Sequence, residues 1–281
     1  MCKYTIKLGN EFKKEDLEIV ISTMDRENLD FLLPMFPFSV FSVFSILIIN
    51  QTQKDKLLVS DFSSVRVINS TEKGLSRSRN LGLKMCTKKI LLIADDDEVF
   101  KEGFDVFIIN AYNSFPKAAV ISFQVENFEH QLFRKYSKET KTNLSQLDLF
   151  GILSPEITIN KKVLDNLEVK FDVNFGLGAN FPMGEEAIFL MDLKSKKEQI
   201  VYVPKVIAST PALTTTNKLD FKLRYYIQGA FLVRVLKEKY KLQLAMKLFF
   251  DLKQRKLHLN QIPIALKNAK LGRKDFYKLD N

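Results

Sequence analysis

The chain has 281 residues, 46% hydrophobic and 27% charged, a globular composition that excludes a disordered or fibrous protein. Its formal net charge is +10, and residues 218–281 hold sixteen Lys or Arg against five Asp or Glu, so the basic excess is C-terminal. With Cys2 and Cys86 as the only cysteines, neither a disulfide framework nor a cysteine metal site is expected.

In chain order, MCKYTIKLGNEFKKEDLEIV meets charge too early and too often for a signal-peptide core, which predicts a cytoplasmic chain. LEIVIST, ending at Thr23, reads as a strand and RENLDFLLPMF as a helix. The uncharged stretch FLLPMFPFSVFSVFSILIINQTQ, 31–53, is long enough to span a bilayer. Pro34 and Pro37 interrupt any helix there, however, and FSILIIN has the character of a buried strand. Next come the strand VRVIN, the helix GLSRSRNLGLKMC, the strand KKILLIA, the helix EGFDVFIINAYNSF and the strand AAVISFQV. Strands alternating with helices predict an α/β fold with a mostly parallel central sheet covered by helices. Such sheets bind ligands beyond the carboxyl ends of their strands, where strand order reverses.

The tail, from FKLRYYIQGAFLVRVLKEKY into KLQLAMKLFFDLKQRKL, carries Phe221, Tyr225, Ile227, Phe231, Val235 and Leu236 at near-helical spacing between basic residues. Solvated basic faces are the commoner meaning of such charge; the sharper one is attraction to an anionic membrane surface or a polyanionic substrate. No RNA-reading, helix-turn-helix or zinc-finger pattern is present, so no nucleic-acid partner is expected. His130 and His258 lie in contexts expected to be structural or at the surface.

Three polar clusters fall at one predicted rim. Thr23, Met24 and Asp25 end the first strand, Asn50, Gln51 and Thr52 the second, and Asp95, Asp96, Asp97 and Glu98 end ILLIA. Carboxylates side by side repel unless a cation is present, and an oxygen-rich site with few protein ligands suits Mg2+ or Mn2+ completed by substrate phosphates. In STEKGLSRSRNLGLK, 70–84, Gly74 permits a tight turn, Ser76 is a candidate N-cap, and Arg77 and Arg79 bring charge to a helix start that already favours anions. Arginine and a carboxylate-bound cation together make a diphosphate environment.

The order strand-Thr23, strand-Asn50, GLSRSRN, ILLIADDDEVF and FPMGEEAIF resembles the nucleotide-sugar-dependent transferases of glycosyltransferase family 2, over about residues 16–210. That resemblance implies a GT-A fold, Rossmann-like, with a helical basic C-terminal extension. Residues 1–215 would form the transferase domain, 1–115 the nucleotide-binding half and 116–215 the acceptor and catalytic-base half, with 216–281 the basic helical region.

The resemblance places Asp95 and Asp97 at the D-x-D positions, the former near ribose and the latter on Mn2+ or Mg2+, with Asp96 as neighbouring support and Glu98 facing the next segment. Thr23, Asp25 and Asn50 match the pocket for base and ribose, Gly74 the turn, and Arg79 the arginine that supports phosphate and acidic loop. In GANFPMGEEAIFLMDLK, 178–194, Glu186 matches the general base and Glu185 is the reserve, although acids at a helix start also serve the helix dipole. The implied reaction is an inverting transfer from a nucleoside-diphosphate sugar, a UDP-sugar weakly favoured, to a hydroxyl of a glycan or lipid-linked acceptor in surface polysaccharide synthesis. It would take place in the cytoplasm or peripherally on the inner face of the membrane.

The chain departs from the family pattern at Met24, where an aromatic is frequent, at Asn50, where aspartate is common, and at Thr210, where a metal-binding histidine often stands. Two other readings start from the same acids. DDDEV, 95–99, satisfies the motif of haloacid-dehalogenase-like phosphatases, with Asp95 as nucleophile and Asp97 as acid/base, although it follows several strand-helix units instead of the first strand. A non-catalytic sugar-nucleotide-binding protein would keep the fold without turnover.

Overall fold

The computed structural model describes residues 11–211 and 220–279; Cys2 and the first half of the N-terminal stretch MCKYTIKLGNEFKKEDLEIV lie outside them. The chain divides into two compact units. One comprises the described residues up to Lys73, Arg77–Lys170 and those from Leu193 to 211; the other comprises Gly74–Ser76, Phe171–Asp192 and 220–279.

The first unit opens with β1 (Leu17–Met24), buried from Leu17 to Thr23 as a strand covered on both faces must be. A short helix α1 (Leu32–Met35) follows, then β2 (Ile46–Gln51) and β3 (Val65–Ser70). The helix read over RENLDFLLPMF is confined to α1, because Pro37 disfavours helical geometry at Phe36, which turns to φ −126°, ψ 62°. Helix α2 (Leu75–Met85) leads to β4 (Ile90–Asp95), the two-residue β5 (Val99–Phe100), helix α3 (Phe104–Ser114) and β6 (Val120–Asn127). Short helices α4 (Gln146–Phe150) and α5 (Lys161–Leu164) flank β7 (Ile157–Asn160). Helix α6 (Glu185–Ser195), whose residues divide between the units, precedes β8 (Ile200–Thr210).

The strand order is β3-β2-β1-β4-β7-β6-β8-β5. Strands β3, β2, β1 and β4 run parallel, as do β6 and β8, while β7 and β5 pair antiparallel with their neighbours. The chain steps from β1 outward to β2 and β3, then returns to place β4 on the other side of β1. The switch point is therefore the gap between the carboxyl ends of β1 and β4. Helix α2 lies close to β1 at Gly82, where a Cβ would come 2.4 Å from Val20 Cγ1.

The uncharged stretch 31–53 feeds the core. Phe36 and Phe44 stack at 4.9 Å, Phe100 and Phe104 at 4.6 Å, and Phe36 meets Phe100 at 5.1 Å, an aromatic layer over Ile19, Ile21, Ile46 and Ile48. Among the described residues no helix is long and apolar enough to cross a membrane.

The second unit contains the loop 171–184, the first two turns of α6 and three helices, α7 (Phe221–Leu236), α8 (Tyr240–Lys253) and α9 (Ile262–Leu279). Helices α7 and α9 cross backbone to backbone: a Cβ on Gly229 would stand 1.9 Å from the Ala269 carbonyl oxygen, and one on Gly272 1.8 Å from that of Tyr226. Phe175 and Phe181 stack at 4.9 Å, and Phe181 packs on Tyr226 and Phe276, so the loop is seated on those helices. Arg234 of α7 adds ion pairs to Asp172 at 2.8 Å and Asp192 at 2.7 Å.

Candidate active site

In the first unit the register of the parallel strands sets one level. Asn69 pairs with Asn50 and Asn50 with Thr23 across β3, β2 and β1, while Ser22 pairs with Asp95 across β1 and β4. Four neighbouring strands thus end together, and the polar residues that the sequence put at strand ends form a single rim at the switch point.

The acids of the cluster sit in different surroundings. Asp96 accepts from Thr23 Oγ1 at 2.5 Å and from Arg26 Nε at 2.8 Å, with a second guanidinium nitrogen at 2.7 Å. Asp95 lies 3.3 Å from a guanidinium nitrogen of Arg79, whose side chain is 1% exposed and also donates to Ser154 Oγ. Asp97 is exposed at the tip of the loop; crowding by surrounding protein, then the charges of Asp95 and Asp96, raise its carboxyl above the ordinary range. Glu98 is buried, and burial first, then the charge of Asp95, holds it well above the usual carboxylate range. Its Oε1 accepts from the Asp95 backbone N–H at 2.9 Å. Instead of facing the next segment, Glu98 closes the acidic turn on itself, where the strand-end amide gives its buried carboxyl a donor.

Asn50 is fully buried, and its amide is committed. Oδ1 accepts from Arg26 N at 3.1 Å; Nδ2 donates to Arg26 O and to Asn69 Oδ1, both at 3.0 Å. Asn50 therefore holds the β1 exit loop in shape. In that loop Asp25 takes φ 52°, a left-handed geometry that Asp tolerates, its N–H donating to Gln51 O at 3.0 Å. Arg26 lies 5.0 Å over the Phe31 ring. Met24 is 48% exposed, open at the strand end.

In the second unit, Gly74 at φ 122° makes the predicted turn, and Leu75 N–H donates to Leu177 O at 2.9 Å. Ser76 is not an N-cap: α2 begins one residue earlier, and its hydroxyl donates to Phe175 O at 2.6 Å. Gly184 at φ 101° leads into α6, with the Phe231 ring 3.1 Å from where its Cβ would stand. Glu185 is buried and Glu186 half-buried in the first turn of α6, where the helix dipole favours acids. A Cβ on Gly176 would be 3.0 Å from the Glu185 carboxyl carbon, so glycine permits that approach.

Thr210 ends β8 opposite Asn127; the residues that follow, 212–219, lie outside the described ones. His130 is exposed beside Glu126. Among the described residues no three His, Cys, Asp or Glu side chains converge on a cation position. Sequence reasoning passed over Arg26, Asn69 and Ser154. Arg26 follows Asp25 directly and carried a signal in its position after β1; Ser154 lies 75 residues from Arg79 and carried none.

An α/β sheet of this order, with its polar rim at the switch point and a helical C-terminal region, has the GT-A architecture. Crystal structures of S. aureus TarS share it. Residues 1–349 of TarS align at TM-score 0.56 and 14% identity, covering 92% of this chain and 80% of that one. The same segment in complex with UDP aligns at 0.55 and 14%, covering 90% and 80%, and in complex with UDP-GlcNAc at 0.58 and 13%, covering 90% and 79%. No curated protein matches the chain. The sequence profile described as glycosyl transferase family 2 matches residues 40–183. The chain belongs to glycosyl transferase family 2 and is a glycosyltransferase.

Proposed function

We propose that the protein is an inverting glycosyltransferase that moves a sugar from a nucleoside diphosphate, with UDP favoured, to a hydroxyl of a glycan or lipid-linked acceptor in surface polysaccharide synthesis. The observation that carries the donor reading is the rim at the β1/β4 switch point, where Asp96 meets Thr23 and Arg26, Asp95 meets Arg79, and Asp97 stands exposed beside them. The complexes of TarS with UDP and with UDP-GlcNAc support the choice of nucleotide.

Asp95 takes the ribose, Asp25 and the loop braced by Asn50 line the base pocket, and Arg79 fixes the acidic turn through Asp95. Asp97 is the residue that would hold Mn2+ or Mg2+; a bound divalent cation supplies charge neutralisation for the departing diphosphate. The fit lies in Asp97 itself: it stands exposed at the tip of the loop, crowding by surrounding protein and then its neighbours' charges disfavour its ionised form, and Arg26 and Arg79 are engaged by Asp96 and Asp95. A site with few protein ligands leaves the remaining positions to phosphate and water.

Glu186 is proposed as general base, with Glu185 in reserve. Its carboxylate takes the acceptor hydroxyl proton as that oxygen attacks the anomeric carbon, and the bond to the diphosphate oxygen breaks from the opposite face, inverting the centre. A base of this kind contributes about 10²–10⁴-fold.

The test is turnover of UDP-sugars with Mn2+ or Mg2+, read as released nucleotide. Asp97→Ala is expected to abolish metal-stimulated release. Glu186→Gln is expected to lower transfer at least about 10²-fold with nucleotide binding retained. Full activity in either variant removes the corresponding role, and the absence of turnover with any donor removes the enzymatic reading of this site.

A further inference from the structure

Helix α8 is apolar on two opposite faces. Leu244, Leu248 and Asp251 are buried. At 100° per residue, Leu242, Met246 and Phe249 lie on the far side, with Phe250 beside them. These four are 71%, 37%, 62% and 45% exposed, whereas an ordinary surface helix turns polar residues to solvent there. The helix is not loosely placed. Tyr225 OH donates to Asp251 Oδ2 at 2.8 Å, Lys247 Nζ pairs with the same carboxylate, and Arg273 of α9 stacks on Tyr240 at 5.2 Å and bonds its hydroxyl. These contacts hold the second apolar face outward.

Charge decides what covers it. Lys237, Lys239 and Lys241 stand exposed at one end of the stripe, and Lys253, Arg255 and Lys256 at the other. From Lys237 to Asn260 the acids are Glu238, flanked by two of those lysines, and Asp251, which is buried and already bonded, so both ends of the stripe stay net basic. A second copy would set these basic clusters against each other, whereas an anionic bilayer offers an apolar interior beneath a negative surface. At 14 residues α8 is too short to span one.

We propose that α8 lies in the plane of an anionic membrane surface, with Leu242, Met246, Phe249 and Phe250 among the acyl chains and the flanking Lys and Arg side chains on the headgroups. This surface is separate from glycosyl transfer and is read by binding alone.

The chain contains no tryptophan, so Phe249→Trp installs a single reporter. Mixed with vesicles of phosphatidylcholine and phosphatidylglycerol, the full chain carrying this substitution is expected to shift its emission to the blue and to be quenched by brominated acyl chains. Phosphatidylcholine alone should leave it unchanged, as should the control Phe128→Trp at an exposed position of the first unit. In sedimentation, joint Lys253→Glu, Arg255→Glu and Lys256→Glu substitution is expected to weaken vesicle binding by roughly fivefold or more per side chain. Joint Phe249→Ser and Phe250→Ser substitution should weaken it at least about tenfold. Several outcomes would overturn the proposal: no shift with acidic vesicles, equal binding to neutral ones, or binding insensitive to the Phe substitutions. Self-association in light scattering that those substitutions abolish would assign the stripe to a second copy and overturn it as well. Should the serine variant fail to fold, the Phe249→Trp spectra alone decide.

Discussion

At the residue scale, the acidic cluster is a division of labour that identity alone does not reveal. Glu98 is buried with its carboxyl held toward the neutral form, and it accepts from the Asp95 amide. Glutamine reproduces a neutral carboxyl in shape, so Glu98→Gln is expected to keep turnover within about threefold. Glu98→Ala removes the acceptor of the Asp95 N–H, a lost hydrogen bond worth about 0.5–1.5 kcal/mol, and opens the turn bearing Asp97; a denaturant titration and the nucleotide-release assay check both. Glu156 is a second buried acid, touching Arg134 and accepting from Tyr136 OH at 2.8 Å. Burial raises its carboxyl to about 8, outweighing Arg134 and Tyr136, which lower it. In the unfolded chain the group ionises near its ordinary value of 4.5, so between 4.5 and 8 the folded protein keeps a proton that the unfolded chain has released. Raising the pH through that window therefore removes stability. The unfolding free energy of the native chain is expected to fall more steeply from pH 5 to 8 than that of Glu156→Gln; parallel slopes would contradict this. The positions of Thr23, Asn50 and Asp95 were legible because each ends an apolar run. That Asn50 braces a loop was not, since its partners Arg26 and Asn69 are chosen by strand register.

At the element scale, two glycine contacts distinguish a crossing that can yield from one that cannot. At Gly82 an added methyl meets the end of the Val20 side chain, which can shift. At Gly272 it meets the backbone carbonyl of Tyr226 at 1.8 Å, and relief requires the helices to part. Gly272→Ala is expected to destabilise by about 1–3 kcal/mol or more, and Gly82→Ala by distinctly less, measured as urea midpoints at constant slope. Equal losses would mean that the α7/α9 crossing is not set by backbone contact. Helices α2 and α3 and strands β1 to β4 and β6 were legible because one turn or one strand repeat is local. The antiparallel insertions β5 and β7 were not, since strands of two and four residues carry too little periodicity to stand out.

At the scale of the whole molecule, the second unit is assembled from segments far apart in sequence. The loop 171–184 sets Phe175 and Phe181 on Tyr226 and Phe276 and Asp172 on Arg234, which also pairs with Asp192 of α6. A chain truncated after Pro211 keeps the rim at the switch point but takes Tyr226, Phe276 and Arg234 away from those rings and acids. It is expected to aggregate more readily than the full chain, read by light scattering; a monodisperse truncated chain would show that the helices are dispensable for this loop.

From the sequence alone came the α/β alternation, the rim formed by strand ends, the family resemblance and the C-terminal charge, because each is written in residues close together along the chain. The tertiary structure decided which arginine meets which acid, how Glu98 closes its turn, and that α8 keeps an apolar face in solvent. It also turned the uncharged stretch 31–53, long enough for a bilayer, into core packed on Phe100 and Phe104. The physical reason is range: hydrophobic period is fixed by neighbours in sequence, whereas the partner of a buried charge or ring is fixed by whichever distant element the fold brings within contact.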